Sequence, residues 1–306
     1  MHSPYYFSQK LIDRFNAAVW RDHETGHIFL MPREVKRAGA HGEPDKGTLI
    51  LLEIDQSGEI IHEMEVWKPE NDDLHLEDPR ALALSNGQVI LGLTAVIKED
   101  EKYNPYPAVI TLDTHTWKKV LPRPLVYKHI GQGKNLTPIS QDTFFFRKEG
   151  PNNSHKLYVL NWDGKNMTDA GDIHFSLDIP WAEWRIGTTM PPIWVNENEA
   201  LLLIHGIKIE NGKYVYSLGR SKLKRTDNVY HIEVDHNPIL TPDDFVANGQ
   251  SMVGELHPEL RRVVYSCGGV VKRQNDQDVL SLFTNVGDKQ TVEVPFQLAH
   301  LKQGWW

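Results

Sequence analysis

The residues best suited to chemistry in this chain are charged side chains that border dense apolar runs. The sequence Glu-Asp-Pro-Arg at 77–80 places two acids beside a proline and an arginine. Arg147 follows three phenylalanines, and His205 follows the apolar run 201–204. A carboxylic acid can give a proton to a departing oxygen, and cationic groups can hold an anion. The pattern therefore points to a pocket for a polyhydroxylated or anionic ligand, although each residue alone would also fit an ordinary strand end.

The segments that carry these residues are short and rich in Val, Ile, Leu, Phe and Tyr, with Gly, Asn, Asp and Pro between them. This pattern is typical of strands rather than helices. Five dense apolar runs recur with spacings of 54 to 78 residues, which indicates a repeated unit. The runs begin at residues 28, 89, 143, 201 and 279.

Each repeat adds a strand on either side of its dense run. A short segment with small residues or proline precedes the run at 16–19, 78–82, 135–139, 190–193 and 267–271. A further apolar segment follows at 48–52, 108–112, 157–160, 214–218 and 291–294, and a weaker fourth strand follows in most copies, as at 60–67 and 229–234. Four-stranded antiparallel units repeated five times predict one all-β domain over 1–306, a five-bladed β-propeller. A two-sheet sandwich is the alternative, but it would not explain five repeats.

The first two strands of each repeat form an antiparallel hairpin, so the start of the first strand lies beside the end of the second. We therefore expect polar residues at these points to converge. The residues concerned are Asn16, Arg33, Glu77, Asp78, Thr94, Lys134, Asn135, Arg147, Thr188, Thr189 and His205, with Asp288 slightly beyond the last of these strand ends.

Composition narrows the classes of function. The net charge of −8 does not favour a nucleic-acid partner, and a single cysteine, Cys267, excludes an intrachain disulfide. Glycine motifs for phosphate loops or dinucleotides and a His-Glu-x-x-His pair are absent, so we expect no cofactor and no metal. Without a signal-like or membrane-spanning apolar stretch, the expectation is a cytoplasmic protein with no membrane partner.

Several of these segments together resemble glycoside hydrolase family 130, the five-bladed β-mannoside phosphorylases and their hydrolytic relatives. The sequence at 77–80 is similar to that family's most recognisable motif, and residues 15–18 are similar to its opening segment. Residues 186–193, the Leu-Ile-His-Gly at 203–206 and the segment 265–270 follow in the family's order. The match runs over most of the chain.

The resemblance implies inverting cleavage of a β-mannosidic bond in a small oligosaccharide, with inorganic phosphate as co-substrate and mannose 1-phosphate as product. It implies that Asp78 is the general acid, acting through a sugar hydroxyl. Family members often associate, so a homo-oligomer is also an expectation. The implied phosphate ligands are Arg147 and His205, with Lys148 or Lys134 adding charge, and the implied sugar-binding residues are Asn16, Arg33, Glu77, Arg80 and Asp288.

Departures from the family pattern keep two alternatives open. Family phosphorylases usually carry another arginine on the strand after the Glu-Asp-Pro-Arg hairpin, where this chain has 106–109, Tyr-Pro-Ala-Val. Without phosphate, a carboxylate would have to activate water, and Glu183 is the candidate base for such a β-mannoside hydrolase. A non-catalytic carbohydrate-binding propeller is the other alternative, in which Asp78 only accepts hydrogen bonds.

Overall fold

A computed structural model describes residues 6–22, 24–35, 39–40, 43–120, 123–150, 155–175, 179–227, 229–247 and 250–305. They fall into two compact units. The three-blade unit comprises residues 16–172, and the two-blade unit comprises residues 1–15 and 173–306. Strand β1 (Tyr6–Ile12) belongs to the two-blade unit.

The three-blade unit contains three four-stranded antiparallel sheets whose strands pair in chain order. Its first sheet has β2 (Arg14–Arg21), β3 (Ile28–Glu34), β4 (Thr48–Ile54) and β5 (Ile60–Trp67). The second sheet has β6 (Leu74–Ala83), β7 (Gln88–Glu99), β8 (Lys102–Asp113) and β9 (Leu125–Val126), followed by a 3-10 turn at Lys128–Ile130. The third has β10 (Gly133–Pro138), β11 (Thr143–Glu149), β12 (His155–Trp162) and β13 (Met167–Asp172).

The two-blade unit contains the remaining sheets. The fourth is built from β14 (His174–Phe175), β15 (Arg185–Thr188), β16 (Ile193–Trp194), β17 (Glu199–Glu210), β18 (Lys213–Thr226) and β19 (Val229–Val234). A 3-10 turn (Pro242–Phe245) and a small hairpin of β20 (Val246–Ala247) and β21 (Gln250–Ser251) follow. The short strand β22 (Arg261–Arg262) pairs in parallel with β18, so it adds to the fourth sheet, as β14 does by its parallel pairing with β19. The fifth sheet has β23 (Val264–Gln274), β24 (Gln277–Val286) and β25 (Gln290–Gln297), and helix α1 (Leu298–Lys302) follows it.

These five sheets are the five predicted repeats, and the predicted fold class, a five-bladed β-propeller of four-stranded antiparallel blades, is confirmed. The predicted outer strands at 60–67 and 229–234 coincide with β5 and β19. None of the helices in the described part of the chain is long and apolar enough to cross a membrane.

Two details of the strands differ from the sequence prediction. The segment 190–193, predicted as one strand, is replaced by β15 and β16 with Met190–Pro192 between them, because proline cannot donate to a ladder. The fourth strand of the last sheet is β1, which pairs with β25 through Tyr6 and Glu293. This pairing joins the two ends of the sequence, so no local pattern could have predicted it.

Apolar side chains from neighbouring sheets pack together within each unit. In the three-blade unit, Met31, Leu49, Leu91 and Ala108 belong to one fully buried cluster. Gly92 shows how closely adjacent sheets approach, because a Cβ atom there would lie 2.3 Å from the Leu136 carbonyl oxygen. In the two-blade unit, the corresponding cluster includes Leu203, Leu218, Leu280 and Leu282. This close packing fixes the strand ends that carry the polar residues.

Candidate active site

Three successive innermost strands of the three-blade unit share an unusual backbone feature. Asn16 in β2, Asp78 in β6 and Asn135 in β10 have φ angles of 54°, 52° and 63°. The pairing of β6 with β7 gains one residue between Glu77 and Arg80, and β10 gains one in the same way, so both strands contain a β-bulge. Asn and Asp are the side-chain-bearing residues that best tolerate the left-handed conformation. The left-handed backbone therefore explains why Asn or Asp occupies all three positions.

The bulges bring the predicted acid into contact with a predicted sugar-binding residue. The Asn16 side-chain amide donates a 2.6 Å hydrogen bond to Oδ1 of Asp78. Beneath it, Arg80 donates to the Asp78 backbone carbonyl at 2.8 Å and to Oδ1 of Asn135 at 2.9 Å. Arg80 is 0% exposed, and these two hydrogen bonds connect it to both Asp78 and Asn135.

Glu77 is the centre of a buried ion-pair network. Arg33 donates to its Oε1 at 2.7 Å, and Lys134 donates to its Oε2 at 3.1 Å. Burial by itself would raise the pKa of Glu77, but the charges of Lys134 and Arg33 and their hydrogen bonds outweigh burial and lower the pKa to about 2. Glu77 is therefore ionised at neutral pH beside Asp78 and fixes two cationic side chains.

Arg147 lies in β11 directly opposite Lys134 of β10, and it is buried. Two like charges facing each other across an antiparallel pair repel one another unless an anion lies nearby. Glu77 supplies one such anion to Lys134. Lys148, the next residue, points elsewhere: its ammonium group is 3.8 Å from Asp169 on the outer strand β13 and lies over the Tyr158 ring. The structure therefore does not place Lys148 with the inner-strand residues.

The two-blade unit carries the predicted histidine. His205 lies in β17, is 1% exposed, and packs edge-on against Tyr265 of β23 with ring centroids 4.6 Å apart. Gly206 follows because a Cβ atom there would lie 2.5 Å from the Trp181 ring. The Leu-Ile-His-Gly sequence thus combines a packed histidine with a position that only glycine can occupy.

Asp288 lies in the turn after β24 with a φ of 51°. The Asn285 amide donates to its Oδ1 at 2.6 Å, and the Arg261 guanidinium lies 2.8 Å from its Oδ2. Glu183, the candidate base, is exposed in the bend before β15. Asp288 is therefore held in one orientation by its neighbours, whereas the described contacts give Glu183 no such support.

Tyr106 belongs to the segment 106–109, where the family pattern predicts an additional arginine. Its hydroxyl donates a 2.7 Å hydrogen bond to Oε2 of Glu99, which also contacts Lys128 at 2.6 Å. The hydrogen bond to Glu99, followed by burial, raises the pKa of Tyr106. This network supplies no positive charge from position 106.

Sequence reasoning missed several contacting partners. Asn135 was noted only as a strand-start residue, Lys134 was not paired with Glu77, and Arg261 and Tyr265 were given no role of their own. The four partners are Arg80, Glu77, Asp288 and His205, and each lies at least 27 residues away in the sequence. The one usable signal was the recurrence of Asn or Asp at the same point of successive repeats.

Comparison with known proteins gives fold-level likeness only. No protein-family model matches the chain, and no curated protein matches it either. Among solved structures, a β-1,2-mannobiose phosphorylase from Listeria innocua, in complex with β-1,2-mannobiose, is similar with a TM-score of 0.70. The two share 15% sequence identity, and the match covers 95% of this chain and 91% of that chain.

Two further structures are similar over nearly the whole chain. A glycosyl hydrolase from Bacteroides ovatus has a TM-score of 0.66 at 15% identity, covering 97% of this chain and 89% of that chain. A structure from the GH130 family of mannoside phosphorylases, which contains glycoside hydrolases that target β-1,2-mannosidic linkages in Candida mannan, has a TM-score of 0.65 at 14% identity, covering 97% and 94%. Structures of the family that the sequence resembles are thus among the structural neighbours of this chain.

Proposed function

We propose that this protein is a glycosidase-type enzyme that cleaves a β-mannosidic bond with inversion. The observation that carries the proposal is the Asn16–Asp78 hydrogen bond at the β6 bulge, beside the ionised Glu77. It gives the predicted proton donor a fixed orientation. The structural neighbours, which include a mannobiose phosphorylase and glycoside hydrolases, support the same class of reaction.

The preferred reaction is phosphorolysis of a short β-mannoside to mannose 1-phosphate. Asp78 gives its proton to the departing glycosidic oxygen, by way of a sugar hydroxyl, while a phosphate oxygen attacks the anomeric carbon from the opposite face. The bond from the anomeric carbon to the leaving sugar breaks as the bond to phosphate forms. The phosphate ester then loses a proton, which restores the acid form of Asp78.

Phosphate needs cationic groups to hold it against the sugar. The proposal assigns this role to Arg147, whose guanidinium geometry suits two hydrogen bonds to an anion, and to His205. Lys134 adds positive charge opposite Arg147. Lys148 is left out because its ammonium group lies near Asp169. Asn16, Arg33 and Asp288 keep their predicted sugar-binding roles, while Glu77 and Arg80 are assigned to positioning.

Hydrolysis by the same fold is the second candidate, and the Tyr106 network favours it. The segment 106–109, whose tyrosine is held by Glu99, lacks the arginine expected as a phosphate ligand, and this lack would weaken phosphate binding. In that reaction a carboxylate would draw a proton from water, and Glu183 is the candidate. Its exposed place in a bend gives this assignment less support than the assignment of Asp78.

A panel of β-mannosyl disaccharides, beginning with β-1,2-mannobiose, tests the proposed class of reaction. We expect the parent protein to cleave at least one of them and Asp78→Asn to bind it without cleaving it. Glucosyl and galactosyl disaccharides serve as controls for the sugar. A protein that binds these mannosides but never cleaves them, with or without phosphate, would be a carbohydrate-binding propeller, and the proposed activity would be wrong.

A further inference from the structure

A polar cavity of about 280 Å³ lies on the fifth sheet, within the two-blade unit. Its floor is formed by Val279 and Ser281 of β24 and by Pro295 of β25. The side chains at 279 and 281 point to the same face of the sheet, because strand residues alternate in direction. The remaining lining residues are Gln274, Asn275, Gln277, Glu293 and Gln297.

Ser281 is the feature that marks this cavity as a binding site. The residue is 1% exposed, and its hydroxyl has no hydrogen-bond partner among the residues that the structure describes. A buried hydroxyl without a partner costs free energy that a bound polar group could recover. Two other buried serines of this unit have partners: the Ser221 hydroxyl donates to the Leu202 carbonyl at 2.7 Å, and the Ser266 hydroxyl donates to the Phe283 carbonyl at 2.9 Å. Ser281 is one of the residues that line the cavity, and a serine hydroxyl can both donate and accept a hydrogen bond.

The rim of the cavity is held by the hairpin between β23 and β24. Asn275 and Asp276 have φ angles of 46° and 61°, as a two-residue hairpin turn requires. Across the rim, the Gln297 amide donates to Oε1 of Gln277 at 3.1 Å. The side-chain amides are therefore arranged on a short, defined turn and a neighbouring strand.

The charge of the cavity indicates a neutral ligand. Glu293 is the one ionisable residue among the lining residues that the structure describes, and the Lys272 ammonium donates to Oε1 of Glu293 at 3.0 Å. An anion would meet this carboxylate without a free cation, and a cation would compete with Lys272. The amides of Gln274, Gln277 and Gln297 each offer donors and acceptors, which match hydroxyl groups, while Val279 and Pro295 offer an apolar surface. Alternating hydroxyl groups and C–H faces are the chemistry of a sugar ring.

We propose that this cavity, with Ser281 at its floor and the glutamine amides at its rim, is a second saccharide-binding site that takes one neutral hexose unit. Its volume lies near the lower limit of about 300 Å³ for small-molecule sites, which suits one ring rather than an oligosaccharide. The choice of mannose as the hexose rests on the proposed function. The site itself does not.

Titration of the ¹⁵N-labelled full chain with D-mannose, followed by NMR, tests the proposal. We expect saturable shifts of the backbone amide signals of Val279 and Ser281 and of the side-chain amide signals of Gln277 and Gln297. Ser281→Ala removes the hydroxyl without adding volume and should weaken this binding at least tenfold. Gln277→Ala, on the exposed rim, should weaken it as well and serves if the buried variant does not fold. Gln303→Ala, an exposed glutamine outside the cavity, is the matched control and should bind as the parent does.

Two results would overturn the second site. One is the absence of saturable shifts at these residues with D-mannose, D-glucose and D-galactose. The other is binding that Ser281→Ala and Gln277→Ala leave unchanged. Cleavage of mannosides is measured separately, so the two proposals can fail independently. Shifts at the cavity in a protein that cleaves no mannoside would keep the second site and remove the proposed enzyme.

Discussion

Both units contain a β-bulge in the innermost strand of a sheet, but different residues occupy the two bulges. In the three-blade unit, the extra residue of the β6 bulge is left-handed, and Asp78 occupies it beside the ion pairs of Glu77. In the two-blade unit, β23 also gains one residue, between Ser266 and Gly268, but Cys267 there is not left-handed. The Ser266 hydroxyl donates to the Phe283 carbonyl at 2.9 Å. One bulge carries charge and the other carries neutral buried groups.

This difference indicates that the charged bulge of β6, rather than the neutral bulge of β23, is the one that function constrains. Left-handed Asn and Asp residues and buried charges cost stability, so they persist where neighbouring groups compensate them. The three-blade unit provides that compensation through Arg33, Lys134 and Arg80. The fifth sheet keeps the bulge without the charges. We therefore expect substitutions at the charged bulge to affect turnover and stability far more than substitutions at the neutral one.

The largest effect is expected for Asp78→Asn. Asparagine tolerates the left-handed backbone, so the fold should remain, while the proton donor is lost. We expect turnover of the mannoside to fall by about 10²- to 10⁴-fold, with binding nearly unchanged. Steady-state kinetics and calorimetric binding measure the two effects. Turnover within a factor of about three of the parent would show that another group supplies the proton.

The second largest effect is expected on the KM for phosphate. Arg147→Ala should raise the KM for phosphate by about tenfold or more, because a charge-assisted hydrogen bond is worth about 1.5–3 kcal/mol. Lys148→Ala is the matched control, since Lys148 lies near Asp169. Its KM for phosphate should stay close to that of the parent. If the two variants behaved alike, Arg147 would have no special place in phosphate binding.

The third effect compares the ion pairs of the two units. Glu77→Gln leaves Arg33 and Lys134 without their buried carboxylate and should destabilise the protein by about 3 kcal/mol. Asp288→Asn should cost about 1 kcal/mol or less, because its partner Arg261 is 28% exposed. Chemical unfolding measures both. A larger loss for Asp288→Asn than for Glu77→Gln would contradict the comparison.

The same glutamate predicts a dependence of stability on pH. Its pKa is lowered from 4.5 to about 2 in the folded protein. The stability that Glu77 contributes is therefore fully present above pH 4.5 and is lost as the pH falls towards about 2. The difference in unfolding free energy between the parent and Glu77→Gln should shrink over this range. A difference that stays constant from pH 5 to about 2 would show that Glu77 is not held ionised.

The smallest effect separates backbone conformation from side-chain contacts. At Asn135, which has a φ of 63°, glycine should be more stable than alanine by about 1 kcal/mol. At Cys267, which is not left-handed, alanine should be more stable than glycine by about 0.5–1 kcal/mol. Chemical unfolding of four variants, with glycine or alanine at position 135 and at position 267, measures this reversal in the order of stability. The same order at both positions would mean that the two bulges do not differ in backbone conformation.

The sequence predicted the elements with local signals and missed those that depend on distant partners. The strand over 60–67 was predicted with its observed bounds because its alternation and flanking turns are local. The pairing of β1 with β25 has no such signal, since its strands lie at opposite ends of the chain. The same limit applies to the site. The sequence identified Glu77 as polar and near Asp78, but its partners lie 44 and 57 residues away.

The contacts of Tyr106 and Arg80 also depend on the folded chain. The lack of the expected arginine in 106–109 was visible in the sequence, but the hydrogen bond of Tyr106 to Glu99 depends on the β7–β8 hairpin. Arg80 was predicted to bind substrate because of its motif. Its full burial, with hydrogen bonds to Asn135 and the Asp78 carbonyl, could be found only from the folded chain.

Phosphorus NMR of the reaction with β-1,2-mannobiose tests the central claim most directly. The parent protein is incubated with the disaccharide and inorganic phosphate, and a parallel sample contains no phosphate. Phosphorolysis with inversion predicts a new signal of α-mannose 1-phosphate in the first sample and an intact disaccharide in the second. Equal release of free mannose in both samples, with no phosphate ester formed, would contradict the assignment of phosphate as the attacking group.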